Sequence, residues 1–215
     1  MEVRLKNNTF QLLPQKALYW KERQLLIISD LHIGKIAHFR KEGIAVPAQA
    51  FADNFKRLDY LLKKLYAGTV LFTGDLFHSA INEEWSAFCH WRKKYKNIPM
   101  EIIPGNHDRL ERSCYDDAEL FIHKKEIFIP PFTFAHHPKK SFKENEYVIA
   151  GHIHPVIKLS GIANQSLRLP CFYFSKQQAI LPSFGYFTGG YAIDPQPGDK
   201  VFVIAKDTIA KINYE

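Results

Sequence analysis

Five times in this chain a short apolar run stops and delivers Asp, Asn or His within a few residues, in most cases beside a glycine. The run 23–29, continuous in Leu and Ile, leads into Asp30-Leu-His32, and the run 69–73 leads into Gly74-Asp75. The run 99–103 precedes Gly105-Asn106-His107-Asp108, the run 132–135 precedes His136-His137, and the run 147–150 precedes Gly151-His152-Ile-His154. Apolar runs of this length bounded by turn signals read as buried strands. Polar groups repeated at strand ends restrict the fold, because in an open α/β sheet the carboxyl ends of the strands converge on one crevice. Gly74, Gly105 and Gly151 permit the sharp turns that bring short side chains to a common point.

The segments between the first three runs are helical in pattern. Residues 47–66 start near Pro47, carry Phe51, Phe55, Leu58, Leu62 and Leu65 at helical spacing, and stop before Gly68. Asn82 is placed as an N-cap, with Glu83 and Glu84 in the first turn and Lys93, Lys94 and Lys96 near the far end. The order strand, helix, strand, helix, strand over the first 105 residues predicts parallel strands. Beyond residue 125 the runs 126–129, 132–135, 146–150, 156–159, 167–174, 178–181, 200–205 and 208–213 are short and β-rich, with no helix between them. The expected fold is α/β, with two sheets face to face and helices outside. At roughly 150 residues per domain, a single domain over 1–215 is expected.

Composition sets the surroundings. A hydrophobic fraction of 46% with 24% charged residues excludes intrinsic disorder. No run approaches the roughly 18 apolar residues of a spanning helix, and the first residues lack the apolar stretch of a signal peptide. Cys89, Cys114 and Cys171 are odd in number and widely spaced, which fits a reducing compartment, so a cytoplasmic location is expected. Lys and Arg number 29 against 22 acidic residues, a net charge of +7, but the excess is scattered and locates no polyanionic partner by itself. The 10 histidines are the more telling count, because six of them fall in the strand-end motifs.

Together the strand ends offer aspartate, asparagine and histidine, with no cysteine. Such oxygen and nitrogen donors suit Mn, Fe or Zn. Seven or eight donors are too many for one tetrahedral ion but serve two ions sharing a carboxylate. Two ions about 4 Å apart activate a bridging hydroxide and clamp a phosphoryl oxygen for in-line displacement, which points to phosphoester hydrolysis.

The set Asp30-x-His32, Gly74-Asp75, Gly105-Asn106-His107-Asp108, His136 and Gly151-His152-x-His154 resembles the signature of calcineurin-like metallophosphoesterases. The resemblance implies a four-layer α-β-β-α sandwich of two mixed sheets and a cofactor of two divalent ions, Mn foremost and Fe or Zn as alternatives. It implies that Asp30, His32, Asp75 and His154 hold one ion, and that Asp75 bridges to a second held by Asn106, His136 and His152. His107 would protonate or stabilise the departing oxygen, with Asp108 orienting it. Many relatives carry an acidic residue three positions after the bridging aspartate, where this chain has His78. The choice between His136 and His137 stays open, with His136 favoured as the nearer to its strand.

Narrower features are similar to the bacterial ligase-associated DNA-damage-response endonuclease group. They are Asp30-Leu-His-Ile-Gly34-Lys35, His38-Phe-Arg40, Gly43-Ile-x-Val-Pro47, Gly74-Asp-Leu-Phe-His78-Ser79 and Leu181-Pro-x-Phe-Gly185-x-Phe-Thr-Gly-Gly190. That likeness implies a DNA-directed phosphodiesterase or endonuclease working with a ligase and a helicase in repair. Lys35, His38, Arg40 and Lys41 follow the first ligand motif, and Lys139, Lys140 and Lys143 follow His136, so both sets are placed at the cleft rim as phosphate-binding groups. His78 and His137 are taken as further substrate-side groups; Phe39, Phe77, Tyr186 and Phe187 are candidates for stacking on bases, with packing in the core the favoured alternative for most of them. Two other readings compete: a phosphomonoesterase or cyclic-nucleotide phosphodiesterase with a small substrate, and a non-catalytic scaffold. The scaffold predicts missing ligands, and none is missing.

Overall fold

The structure, a computed structural model, describes residues 1–47, 49–78, 81–160 and 166–212. A first sheet takes its strands in chain order: β1 (Glu2–Leu5), β2 (Asn8–Leu13), β3 (Ala17–Trp20), β4 (Leu25–Ile28), β5 (Thr69–Phe72), β6 (Met100–Ile102) and β7 (Leu120–Ile122). β1 to β4 form an antiparallel meander, and β4 to β7 are parallel. The crossovers carry α1 (Lys35–Lys41) and α2 (Gln49–Lys64), then α3 (Glu83–Arg92), then α4 (Arg112–Asp117). Leu25 to Ile28 are all buried, as expected of a central parallel strand covered on both faces. Asn82 caps α3 by accepting from the amides of Glu84 and Trp85.

The second sheet contains β8 (Glu126–Ile129), β9 (Phe132–Ala135), β10 (Val148–Ala150), β11 (Pro155–Ser160), β12 (Ser166–Phe174), β13 (Gln178–Ile180), β14 (Tyr191–Ala192), β15 (Lys200–Ala205) and β16 (Thr208–Ile212). Its order is β14-β11-β12-β13-β10-β9-β8, with β15 beside β12 and β16 beside β15. β9, β10 and β13 run parallel. The strands read beyond residue 125 are all present. The elements the pattern did not reveal are β1 to β3, α1, α4, β7 and β14.

Both sheets are mixed and packed face to face, as expected. The core between them includes Phe10, Trp20, Leu71, Ile103, Phe132, Phe134, Ile149 and Phe172. Trp20 stacks on Phe10 at 5.4 Å and meets Phe132 edge-on at 5.2 Å. A second cluster joins the outer face of the first sheet to α2, α3 and α4 through Leu58, Leu61, Trp85, Phe88, Trp91 and Tyr115. The two mixed sheets and flanking helices of the implied sandwich are present, with every described α-helix preceding the second sheet in the chain. Among the described residues no helix follows Asp117, and the outer face of the second sheet is closed by loop side chains instead. Phe142 packs on Ala135, Val148 and Ala150, and Ile193 on Ile157, Cys171, Val201 and Val203. The crossover from β9 to β10, His-Pro-Lys-Lys-Ser-Phe-Lys-Glu-Asn-Glu over 137–146, has no apolar period from which to build a helix. Among the described residues, no helix is long and apolar enough to cross a membrane.

This packing makes Trp20 the keystone between the sheets. Trp20→Ala is expected to lower unfolding free energy in urea by about 3–5 kcal/mol. A loss under about 1 kcal/mol would show that the sheets do not rest on this ring.

Candidate active site

The parallel strands of both sheets end on the same crevice. Asp30 lies just beyond β4, Asp75 beyond β5, Asn106 beyond β6, His136 directly after β9, and His152 and His154 beyond β10. Asp30 (φ 54°), His32 (φ 51°), Asp75 (φ 47°), His152 (φ 72°) and His154 (φ 49°) all adopt the left-handed region. For non-glycine residues this costs of order 1–3 kcal/mol each and persists only where surroundings enforce it. Here it turns each side chain inward. Gly74, at φ 89°, also allows close approach, since a Cβ there would lie 2.1 Å from His136 Nδ1.

Three overlapping groups result: Asp30–His32–His154, Asp30–Asp75–His136, and His136–His137–His152, with the donor atoms in each within 4.8 Å of one another. Asp75 Oδ1 accepts from the His107 amide at 2.9 Å. Its Oδ2 sits 3.9 Å from His32 Nε2 on one side and 3.6 Å from His136 Nε2 on the other. Asp30 Oδ1 is 3.2 Å from His154 Nε2, and its Oδ2 accepts from Ser29 Oγ and from the His152 amide.

The imidazoles show what these groups fit. His136 Nδ1 donates to the Thr73 carbonyl and His154 Nδ1 to the Thr188 carbonyl, both at 3.0 Å. Their Nε2 atoms are therefore lone-pair donors in the neutral ring. His136 Nε2 faces His152 Nδ1 at 3.1 Å, and His154 Nε2 faces His32 Nε2 at 3.5 Å. Burial drives His32 down to about 2, so its ring is neutral and ready to coordinate. Facing ring nitrogens beside buried carboxylates fit divalent cations.

Around this cluster the other expected residues separate. His107 is exposed, its ring 5.4 Å from His32 and stacked on His78 at 4.6 Å. His38 follows at 5.6 Å from His78 and lines an open groove of about 720 Å³ with Arg40, Lys41 and Ile81. Lys35 is half-buried, its ammonium 5.6 Å above the Phe39 ring. His137 Nε2 is 2.9 Å from Asn106 Oδ1 and fixes that amide. His136 belongs to two of the three groups and His137 to one.

Two expectations need correction, for Asp108 and Lys139, and the alternatives for Phe77 resolve toward the core. Asp108 does not bond to His107; its carboxylate accepts the amides of Phe77 at 2.9 Å, Gly105 at 2.8 Å and Leu76 at 3.4 Å, tying the β5 and β6 loops together. Phe77 is 2% exposed among Trp85, Phe88 and Tyr115, so it offers no face to a base. Lys139 is engaged by Glu126 and Glu146, each at 2.8 Å, and is not a free phosphate ligand. Sequence reasoning missed Ser29, Thr73 and Thr188, whose roles lie in local hydrogen bonds that no spacing signals.

Residues 23–173 match the family model described as calcineurin-like phosphoesterase. The chain belongs to that family. It is a metal-dependent phosphoesterase, a hydrolase of phosphoric esters. It is also similar to the crystal structure of Pseudomonas putida nuclease MPE, with 29% identity over 99% of each chain and a TM-score of 0.85. A structure from Aquifex aeolicus titled as a protein of unknown function, AQ665, covers 60% of this phosphoesterase and 78% of its own chain, at 19% identity and a TM-score of 0.45. No curated protein matches the phosphoesterase.

The corrected role of Lys139 gives a pH prediction. Lys139, the Lys143 amide and Thr133 hold the Glu146 carboxyl at about 2, below its ordinary 4.5. A depressed folded value stabilises above pH 4.5, and that stability is lost as pH falls toward 2. Lys139→Met should therefore lose most stability to urea above pH 4.5, with the gap from wild type shrinking toward pH 2. A gap constant across that window would contradict the assignment.

Proposed function

We propose that the protein hydrolyses phosphodiester bonds in nucleic acid, DNA foremost, using two divalent cations. Mn is the first candidate, with Fe or Zn as alternatives. Asp30, His32, Asp75 and His154 hold one cation, and Asp75, Asn106, His136 and His152 the other. The observation that carries this reading is Asp75 Oδ2, set between His32 Nε2 at 3.9 Å and His136 Nε2 at 3.6 Å, the place of a carboxylate shared by two ions.

When bound, the cations supply positive charge to the phosphoryl oxygens and lower the pKa of the attacking water. The chain supplies the rest. His107, exposed at the mouth, donates a proton to the departing oxygen, and His78 stacked against it holds the ring in line. Lys35 adds charge beside Asp30 and Asp75, and His137 keeps the Asn106 oxygen oriented. The narrower sequence likeness to the endonuclease group supports a nucleic-acid substrate, as does the likeness over 99% of both chains to a protein described as a nuclease. So does the groove of His38, Arg40 and Lys41, whose opening suits a chain with phosphates on either side of the scissile bond. Tyr186 and Phe187, 38% and 48% exposed, are available to stack on bases. The repair setting, with a ligase and a helicase as partners, rests on the narrower sequence likeness. A cytoplasmic site of action is supported by three unbridged cysteines.

Turnover by the Mn-loaded protein on plasmid, single-stranded DNA, a cyclic nucleotide and a phosphomonoester is the deciding comparison. Preference for the DNAs supports the proposal, and preference for a small ester overturns its nucleic-acid part. Asp75→Asn should lower bound metal and abolish turnover, whereas His107→Ala should keep the metal and slow DNA cleavage about 10²–10⁴-fold. A nitrophenyl diester, with its better leaving group, should suffer less from His107→Ala; equal losses would remove the acid role. Arg40→Ala with Lys41→Ala should raise KM for DNA and leave the nitrophenyl diester unchanged.

A further inference from the structure

The segment after β13 passes behind one side of the cation cluster and bonds to it repeatedly. Ser183 Oγ donates to the Asp30 carbonyl at 2.8 Å, the Gly185 amide to the same carbonyl at 3.0 Å, and the Phe184 amide to the Ser29 carbonyl at 2.8 Å. Thr188 then presents its carbonyl to His154 Nδ1. The fit leaves no room for a side chain at Gly185, where a Cβ would stand 2.4 Å from the Leu31 carbonyl oxygen. Residues 183–188 thus form a strap that holds the backbone of one ligand and the ring of another.

The strap is fastened from α2 by Arg57. Its guanidinium lies 4.2 Å from the Phe184 ring centroid and 4.5 Å from that of Tyr186. It donates to the Phe184 carbonyl, to Asn54 Oδ1 at 2.7 Å and to the Gln15 carbonyl at 3.5 Å, so one fork joins the strap, α2 and the β2–β3 turn. No carboxylate pairs with it among these contacts, and its Nε is buried without a partner. A half-buried cation kept on these terms is a fastening, since stacking and carbonyl recognition need the planar fork that lysine lacks. His136 is anchored differently, through the Thr73 carbonyl at the end of β5.

We propose that Arg57 is a positioning residue that sets cation affinity at the Asp30–His32–His154 group, through the strap, without setting it at the His136–His152 side. The inference rests on the two-cation reading above. Partners that orient metal ligands typically change affinity about 10–100-fold when removed.

Calorimetric titration of Mn²⁺ into the metal-free full chain tests it, with His154→Ala marking which binding event belongs to this group. Arg57→Lys keeps the charge and loses the fork, and Tyr186→Ala removes one exposed stacking face, which guards against a variant that fails to fold. The event lost in His154→Ala should weaken about 10-fold or more in Arg57→Lys and in the same direction in Tyr186→Ala, with the other event within about twofold. A general loss of stability would weaken both events together, so equal weakening overturns the proposal, as does an Arg57→Lys isotherm matching wild type. A wild type with one binding event overturns the two-cation reading instead. The strap then stands only if Arg57→Lys and His154→Ala both weaken that event.

Discussion

Buried carboxylates and imidazoles crowd one end of the two sheets, and the rest of the structure answers to that crowding. Asp30 is fully buried and Asp75 3% exposed, with two pairs of imidazole nitrogens in close contact beside them. Such a cluster is costly to desolvate and gains its compensation from cations. Until they bind, the backbone holds it in place. The Thr73 and Thr188 carbonyls fix two rings, the His107 and His152 amides hold the two aspartates, and the left-handed turns aim the side chains inward.

The corrected place of Asp108 follows from the same demand. Three amides from two loops converge on one carboxylate, so Asp108 fixes the distance between the Asp75 loop and the Asn106–His107 loop. That leaves His107 exposed at the mouth of the crevice. Glu84 does comparable work at the start of α1. Its buried carboxylate accepts the Gly34 and Ala37 amides at 2.6 Å each and ties α1, which carries Lys35, His38 and Arg40, to α3.

What was legible in the sequence was whatever repeats or alternates. The run Leu25–Ile28, the cap at Asn82, the strands of the second half and every donor at a strand end follow from periodicity and from polar residues at the ends of apolar runs. What was illegible depends on contacts between distant segments. β1 to β3 form a meander whose residues alternate too irregularly to stand out, and α1 is short and mostly polar. Nothing near Lys139 tells that Glu126 and Glu146 engage it, and nothing near Phe77 tells that three aromatic rings enclose it. The stretch 181–190 stood out only by likeness, and its physical meaning emerged from the bonds it makes to Asp30 and His154.

The proposed sharing of Asp75 by two cations is open to direct observation. Anomalous scattering from crystals of the full chain grown with Mn²⁺ tests it most directly. The account predicts two peaks about 3.5–4 Å apart on either side of the Asp75 carboxylate, one beside His32 and His154 and the other beside His136 and His152. A single peak, or two peaks that do not share Asp75, would contradict it.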